Sequence, residues 1–115
     1  MRTLAILILS LLTLLSAPAL GADFDKGVSA FQRGDYATAL REWTPLAEQG
    51  HVEAQYILGV MYSIGQGVEQ DYATAAEWYR RAAEQGLADA QHNLGVMYAL
   101  GQGVIQDYVK AHMWG

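Results

Sequence analysis

The sequence contains no cysteine, only two prolines and few basic residues. Without cysteine, the chain has no disulfide, no thiolate nucleophile and no zinc–thiolate site. It has 7 Lys and Arg against 12 Asp and Glu, which gives a formal net charge of −5. Because no basic cluster is larger than the pair Arg80 and Arg81, contacts to a phosphate backbone lack their electrostatic basis. Nucleic acid is therefore not an expected partner.

Long apolar runs are also scarce, and the one that stands out lies at the amino terminus. It extends from Leu4 to Leu15, follows Arg2 and precedes a stretch of small residues. These are the three parts of a secretory signal peptide. Cleavage after Ala19 or after Ala22 fits the preference for small residues, and the second is favoured because helical patterning begins there. We therefore predict a signal peptide at 1–22, a mature domain at 23–115 and a periplasmic or secreted bacterial protein.

The alternative for this segment is an uncleaved membrane anchor. Residues 3–22 carry no charge, and a bilayer span needs about 20 apolar residues. Pro18 and Gly21 argue against the anchor, because both break a helix. No stable membrane insertion is expected after cleavage.

The remainder of the chain repeats itself with a period of 36 residues. Residues 35–59 and 71–95 are identical at 13 of 25 positions. Residues 59–62, 65–68 and 70–72 return unchanged as 95–98, 101–104 and 106–108. A repeat of this length is typical of a solenoid built from stacked supersecondary units.

Each unit is predicted to be a pair of helices with recognisable ends. Asp35, Asp71 and Asp107 stand before an apolar-periodic stretch, where a carboxylate can accept from the free amides of the first turn. Gly50 and Gly86 are placed where a left-handed residue closes a helix. One helix of each pair carries an apolar stripe at 3.6-residue spacing, as in Tyr72, Ala75, Ala76, Tyr79, Ala82 and Ala83. No strand pattern competes, so the fold is predicted to be all-α.

Two glycines lie in the middle of predicted helices. Gly59 and Gly95 each cost about 1 kcal/mol relative to alanine, so a close helix crossing against an alanine-rich stripe is expected to offset that cost. Pro45 is the one local conflict, because it should bend its helix or remove one hydrogen bond.

These motifs together resemble those of the Sel-one-like repeat family, which is related to tetratricopeptide repeats. The resemblance rests on Ala-Gln-x-x-Leu-Gly-x-Met-Tyr, a Gly-x-Gly-Val loop, Gln-Asp-Tyr, and a helix that ends in Ala-Ala-Glu-Gln-Gly. It covers about residues 34–114 and implies a right-handed α-solenoid of antiparallel helix pairs that acts as an adaptor or scaffold, in a family whose bacterial members are often exported. The expected units are a degenerate first unit at 24–50, a full unit at 52–86 and an incomplete unit at 88–115.

Catalytic and metal chemistry find little support in the residue inventory. After residue 22 the only serines are Ser29 and Ser63, and neither lies in a nucleophile elbow. His51, His92 and His112 fall in separate units without a metal-ligand spacing. No catalytic residue, metal or cofactor is therefore expected, and the protein is not expected to be an enzyme.

An enzymatic alternative comes from relatives of the family. Some exported relatives carry one disulfide per repeat and have been linked to penicillin binding or β-lactamase activity. A small periplasmic enzyme that acts on cell-wall material is accordingly the alternative function. The absence of cysteine and of a catalytic constellation disfavours it.

A binding surface is the remaining functional feature. First helices line the concave side of such stacks, which predicts a protein or peptide partner that contacts Tyr56, Val60, Ser63, His92, Val96 and Ala99. Tyr56 and His92 differ although their neighbours repeat, as expected for a surface that reads a ligand on a fixed frame. In the alternative interpretation, Gln55 and Gln91 satisfy the loop backbone. Val60 and Val96 then belong to the core.

The last unit carries a further expectation about stability. Helix stacks usually need three or more repeats, and roughly two and a half are recognisable here. We therefore expect a frayed segment at 107–115 and a tendency to associate end to end or to require a partner.

The export hypothesis has a direct test. Mass spectrometry of the protein from a periplasmic fraction should find an amino terminus at Leu20 or Asp23, because signal peptidase cleaves after small residues. Intact Met1 in a membrane pellet would contradict cleavage.

Overall fold

The structure is a computed structural model, and it describes residues 21–115. Most of the predicted signal peptide, residues 1–20, lies outside this range. The described residues form six α-helices and no strand, and none of these helices is long and apolar enough to cross a membrane. The helices are α1 (Phe24–Gln32), α2 (Tyr36–Glu48), α3 (Val52–Ile64), α4 (Tyr72–Glu84), α5 (Ala88–Leu100) and α6 (Tyr108–Trp114).

Consecutive helices pack against one another, so the chain forms the pairs α1–α2, α3–α4 and α5–α6. The predicted all-α solenoid of helix pairs is confirmed. One buried cluster is centred on Trp43, Leu58 and Met61, and a second on Tyr79 and Leu94. Each cluster joins a second helix to the first helix of the following pair, so the core runs continuously along the stack.

The helix ends lie where the caps place them. The Oδ1 atoms of Asp35, Asp71 and Asp107 each accept a hydrogen bond from a backbone N–H three residues on, at 3.2, 3.1 and 3.1 Å. Hydrogen bonds from the side chains and amides of Thr38 and Thr74 lower the pKa of Asp35 and Asp71, respectively. These two caps therefore stay ionised at neutral pH.

The second helices end on glycine as the sequence indicates. Gly50 and Gly86 have φ of 101° and 94°, in the left-handed region that only glycine adopts without strain. By contrast, α2 continues through Pro45 to Glu48. The proline removes one backbone donor but does not end the helix.

A histidine caps α3, which the sequence did not single out. The Nδ1 atom of His51 accepts the backbone N–H of Ala54 at 3.1 Å. Its ring stacks on Phe24, with 4.7 Å between the centroids and 15° between the planes. The start of α3 is thereby attached to α1.

The first pair is more regular than the description "degenerate" suggests. Residues 33–35 connect α1 to α2, whereas residues 65–71 and 101–107 connect the other pairs. The first connection is thus four residues shorter, which places Gly27 of α1 in the position of Gly59 of α3. A shorter loop, and not a missing helix, hides the first unit from a search at a 36-residue period.

The mid-helix glycines lie at close crossings, but the group opposite differs from the expected alanine stripe. A Cβ atom on Gly59 would lie 2.6 Å from Cε1 of Tyr79, and one on Gly27 would overlap the indole of Trp43. A Cβ atom on Gly95 would lie 2.9 Å from the carbonyl oxygen of Ala111. Two glycines therefore make room for an aromatic ring, and the third for the backbone of α6.

Substitution of Gly59 tests the crossing. Gly59→Leu should lower the midpoint of thermal unfolding even though leucine favours helix, because overpacking costs about 1 to 3 kcal/mol. Ala37→Leu, at an exposed position of α2, is the control and should leave the midpoint nearly unchanged. Equal melting of wild type and Gly59→Leu would contradict the close contact with Tyr79.

Helix α6 should be the least protected helix. It contains no buried residue, and Tyr108, Val109 and Met113 are 69, 79 and 64% exposed. In hydrogen exchange, we expect the amides of 109–114 to exchange faster than those of 75–83, because little apolar burial opposes local opening. Equal protection in the two segments would show that α6 is a stable end of the stack.

Candidate partner-binding groove

The first helices α1, α3 and α5 share one face, which we call the first-helix face. Three cavities lie along it. They lie between α1 and α3, between α3 and α5, and between α5 and α6. We call them compartments 1, 2 and 3 in chain order. Together they form a groove along the first helices that is interrupted between compartments 1 and 2.

Compartment 1 lies between α1 and α3 and has a volume of about 580 Å³. Its floor is the indole of Trp43, which is 2% exposed and donates its N–H to the Phe24 carbonyl at 3.1 Å. The polar atom of that ring is thus already paired inside the protein. The lining is mostly apolar: Val28, Phe31, Gln32, Trp43, Tyr56, Ile57, Val60, Met61 and Gln66.

Compartment 2 lies between α3 and α5 and has a volume of about 420 Å³. Its floor is the ring of Tyr79, which is 3% exposed and fills the notch at Gly59. The lining residues are Ser63, Ile64, Tyr72, Tyr79, His92, Asn93, Val96, Met97 and Gln102. Polar groups therefore form a larger part of this compartment than of the first.

The hydroxyl of Tyr79 is the centre of this polar floor. Ser63 donates its only hydroxyl hydrogen to the Val60 carbonyl at 2.8 Å, and its oxygen lies 3.5 Å from the Tyr79 oxygen. That separation is long for a hydroxyl pair, so the two oxygens retain hydrogen-bonding capacity. Burial raises the pKa of Tyr79, against the smaller opposing effects of hydrogen bonds with Ser63 and Asn93. The phenol is neutral at physiological pH and can both donate and accept.

Compartment 3 lies between α5 and α6 and has a volume of about 340 Å³. It shares His92 and Val96 with compartment 2. The exposed side of α6, including Tyr108 and His112, forms its outer wall. Compartments 2 and 3 are therefore continuous at α5.

The six residues predicted to contact a partner all line these cavities, in different combinations. Tyr56 and Val60 line compartment 1, and Ser63 lines compartment 2. His92 and Val96 lie between compartments 2 and 3, and Ala99 lines compartment 3. The structure thus distributes them along the groove and does not gather them into one pocket.

The flanking glutamines have a structural role. Nε2 of Gln55 donates to the Ala47 carbonyl at 3.0 Å, and Nε2 of Gln91 donates to the Ala83 carbonyl at 3.2 Å. Each therefore satisfies a carbonyl at the end of the preceding helix, as the alternative interpretation states. Val60 also packs partly against the core, whereas Val96 is 41% exposed.

The sequence prediction missed the floor and part of the wall. Tyr79 belongs to the predicted apolar stripe of its helix, and Trp43 holds the matching position one period earlier, although both rings also line the groove. Asn93 was not selected, yet it replaces Ile57 of the preceding unit within an otherwise repeated segment. The difference at 57 and 93 is the same kind of signal as the one between Tyr56 and His92, and it could have identified Asn93.

Charge is absent from compartments 1 and 2. The chain has 19 residues of the types Asp, Glu, Lys and Arg, but none of them lines either cavity. On α4, by contrast, Arg80 pairs with Glu77 and Glu84. Compartments 1 and 2 therefore lack Asp, Glu, Lys and Arg, and the ion pairs of the described residues lie on α4 and in the connection from α1 to α2.

A family model described as "Sel1 repeat" matches residues 52–87 and 88–114. The chain belongs to the Sel1 repeat family. The two matched ranges correspond to the pairs α3–α4 and α5–α6, and the pair α1–α2 precedes them. Sel1 repeats are generally protein-interaction modules and typically form a non-catalytic scaffold, and many are found in exported bacterial proteins.

Two solved structures are similar to this Sel1 repeat chain. One is a protective antigen present in uropathogenic Escherichia coli strains that displays an SLR fold, with 42% identity and a TM-score of 0.74 over 79% of this chain. The other is a Sel1 repeat protein from Oxalobacter formigenes, with 35% identity and a TM-score of 0.73 over 80% of this chain. The similarity spans only 20% and 38% of those two proteins. A search of curated proteins found no match.

Proposed function

We propose that this chain is an exported interaction module that binds a protein or peptide partner along its first-helix face. The observation that carries the proposal is the row of three cavities along the first helices, two of them between successive first helices and the third between α5 and α6. All six residues that the sequence marks as partner-binding line this row: Tyr56, Val60, Ser63, His92, Val96 and Ala99.

The character of the surface supports this role. Concave, mostly apolar clefts with a few convergent polar groups are the usual form of a binding site. Val96 is 41% exposed and lines both compartment 2 and compartment 3. No Asp, Glu, Lys or Arg lines compartment 2. An exposed valine beside polar groups is suited to contact another protein.

The predicted export of the chain indicates where in or outside the cell the partner is met. The amino-terminal segment has the form of a signal peptide, and many members of the family are exported. We therefore propose that the partner is met in the periplasm or outside the cell.

Site-specific photocrosslinking tests the binding face. A photoreactive phenylalanine analogue at Val96 should give a covalent adduct with a partner in intact cells, because that side chain lies between compartments 2 and 3. The same analogue at Glu48, exposed at the end of α2, is the control and should give none. Adducts from Glu48 and none from Val96 would show that the partner binds elsewhere.

A further inference from the structure

Compartments 1 and 2 are built on the same frame and differ at five matched positions. The shared residues are Val60 and Val96, Met61 and Met97, and Gln66 and Gln102, each pair 36 residues apart. These residues hold the two cavities at equivalent places in successive repeats. The differences between the compartments therefore alter the chemistry of the lining on a shared frame, although the cavity volume also falls from about 580 to about 420 Å³.

At four of these five positions, the change runs from an aromatic or apolar side chain to a more polar one. Compartment 1 has Trp43, Tyr56 and Ile57 where compartment 2 has Tyr79, His92 and Asn93. Phe31 of α1 corresponds to Ser63 of α3, because the first connection is four residues shorter than the second. One pair at the rim runs the other way, Gln32 to Ile64. The side chain of Ile64 is 60% exposed, so this exception leaves the floor of compartment 2 unaffected.

The polar atoms of the two floors are used differently. In compartment 1, the Trp43 N–H is paired with the Phe24 carbonyl. In compartment 2, the Tyr79 hydroxyl has a long contact to Ser63, at 3.5 Å, and a hydrogen bond with the half-buried Asn93. Compartment 2 thus holds neutral donors and acceptors that a ligand can use, and compartment 1 offers apolar surface.

We infer that the ligand is a segment of extended, uncharged peptide. It would place an apolar side chain in compartment 1 and a backbone amide against Asn93 and Tyr79 in compartment 2. This inference rests on the proposed function and names its ligand class. An extended backbone has free N–H and C=O groups for such a floor, whereas a helix uses its own internally.

No Asp, Glu, Lys or Arg lines either compartment, so a carboxylate, phosphate or ammonium group of a ligand would have no ion-pair partner of these types there. Burying such a group without a partner is costly. The apolar side chain and the amide therefore belong to two separate positions of the peptide, one for each compartment.

The experiment begins with selection of binders to the full chain from a phage-displayed library of linear random peptides. The peptide that binds best is synthesised, and its affinity is measured by fluorescence anisotropy. We expect enrichment of uncharged sequences with an apolar residue at a fixed position. Ile57→Ala should weaken binding about tenfold, through lost apolar contact.

Two variants address the polar floor. Asn93→Leu is close to isosteric. Tyr79→Phe removes only the hydroxyl and keeps the ring against Gly59, so we expect this variant to fold. Each substitution should lower the affinity for the peptide about 2- to 10-fold, as expected for the loss of one hydrogen bond. Ile105→Asn is the control, because Ile105 is 90% exposed and lines neither compartment. It should leave the affinity unchanged.

Methylation of single backbone nitrogens in the peptide distinguishes backbone from side-chain recognition. Methylation at one position, other than the residue that carries the apolar anchor, should weaken binding to wild type but should not weaken binding to Asn93→Leu further. Equal penalties in both proteins would overturn the inference, as would a helical circular dichroism signal of the bound peptide or the absence of any enriched peptide. In each of those cases the crosslinking at Val96 independently decides whether the proposed protein-binding function stands.

Discussion

The structure depends on one repeated contact, in which an aromatic ring of the second helix enters a notch left by a glycine of the first helix. Trp43 occupies the notch at Gly27, and Tyr79 occupies the notch at Gly59. The ring is nearly fully buried in both places, so its burial offsets the propensity cost of a glycine in a helix. In the third pair the backbone of α6 takes the place of the ring at Gly95.

This contact also determines the groove. The ring that packs against a glycine of the first helix also lines a compartment. Trp43, at Gly27, is the floor of compartment 1, and Tyr79, at Gly59, is the floor of compartment 2. The identity of the ring then decides the chemistry of that floor. Tryptophan turns its only donor back to the Phe24 carbonyl, whereas tyrosine leaves a hydroxyl beside Ser63 and Asn93. Packing and candidate recognition are therefore properties of the same side chain.

Two further devices keep the frame constant while the lining varies. Gln55 and Gln91 tie each first helix to the end of the preceding second helix, and Gln85 donates both to Gln55 and to the Gly50 carbonyl. These bonds use amide groups that would otherwise compete for a ligand. The bonds of Gln55 and Gln91 repeat with the period. The side chains at positions 57 and 93 can therefore differ, and so change the ligand chemistry, while the stack of helices stays the same.

The sequence by itself determined the helices, their caps and the period, because these depend on neighbouring residues: Asp71 caps the amides that follow it, and Gly86 ends the helix that precedes it. Its helical spacing also selected six residues that line the three compartments, and their role in binding a partner stays a prediction. Only the tertiary structure decided that Trp43 and Tyr79 belong to the groove as well as to the core, since a stripe of apolar residues does not specify where the far side of a ring emerges. It also decided that α1 is a regular first helix. That assignment depends on Gly27 meeting Trp43 across a shortened loop, and the contact is set by packing in space and not by the period.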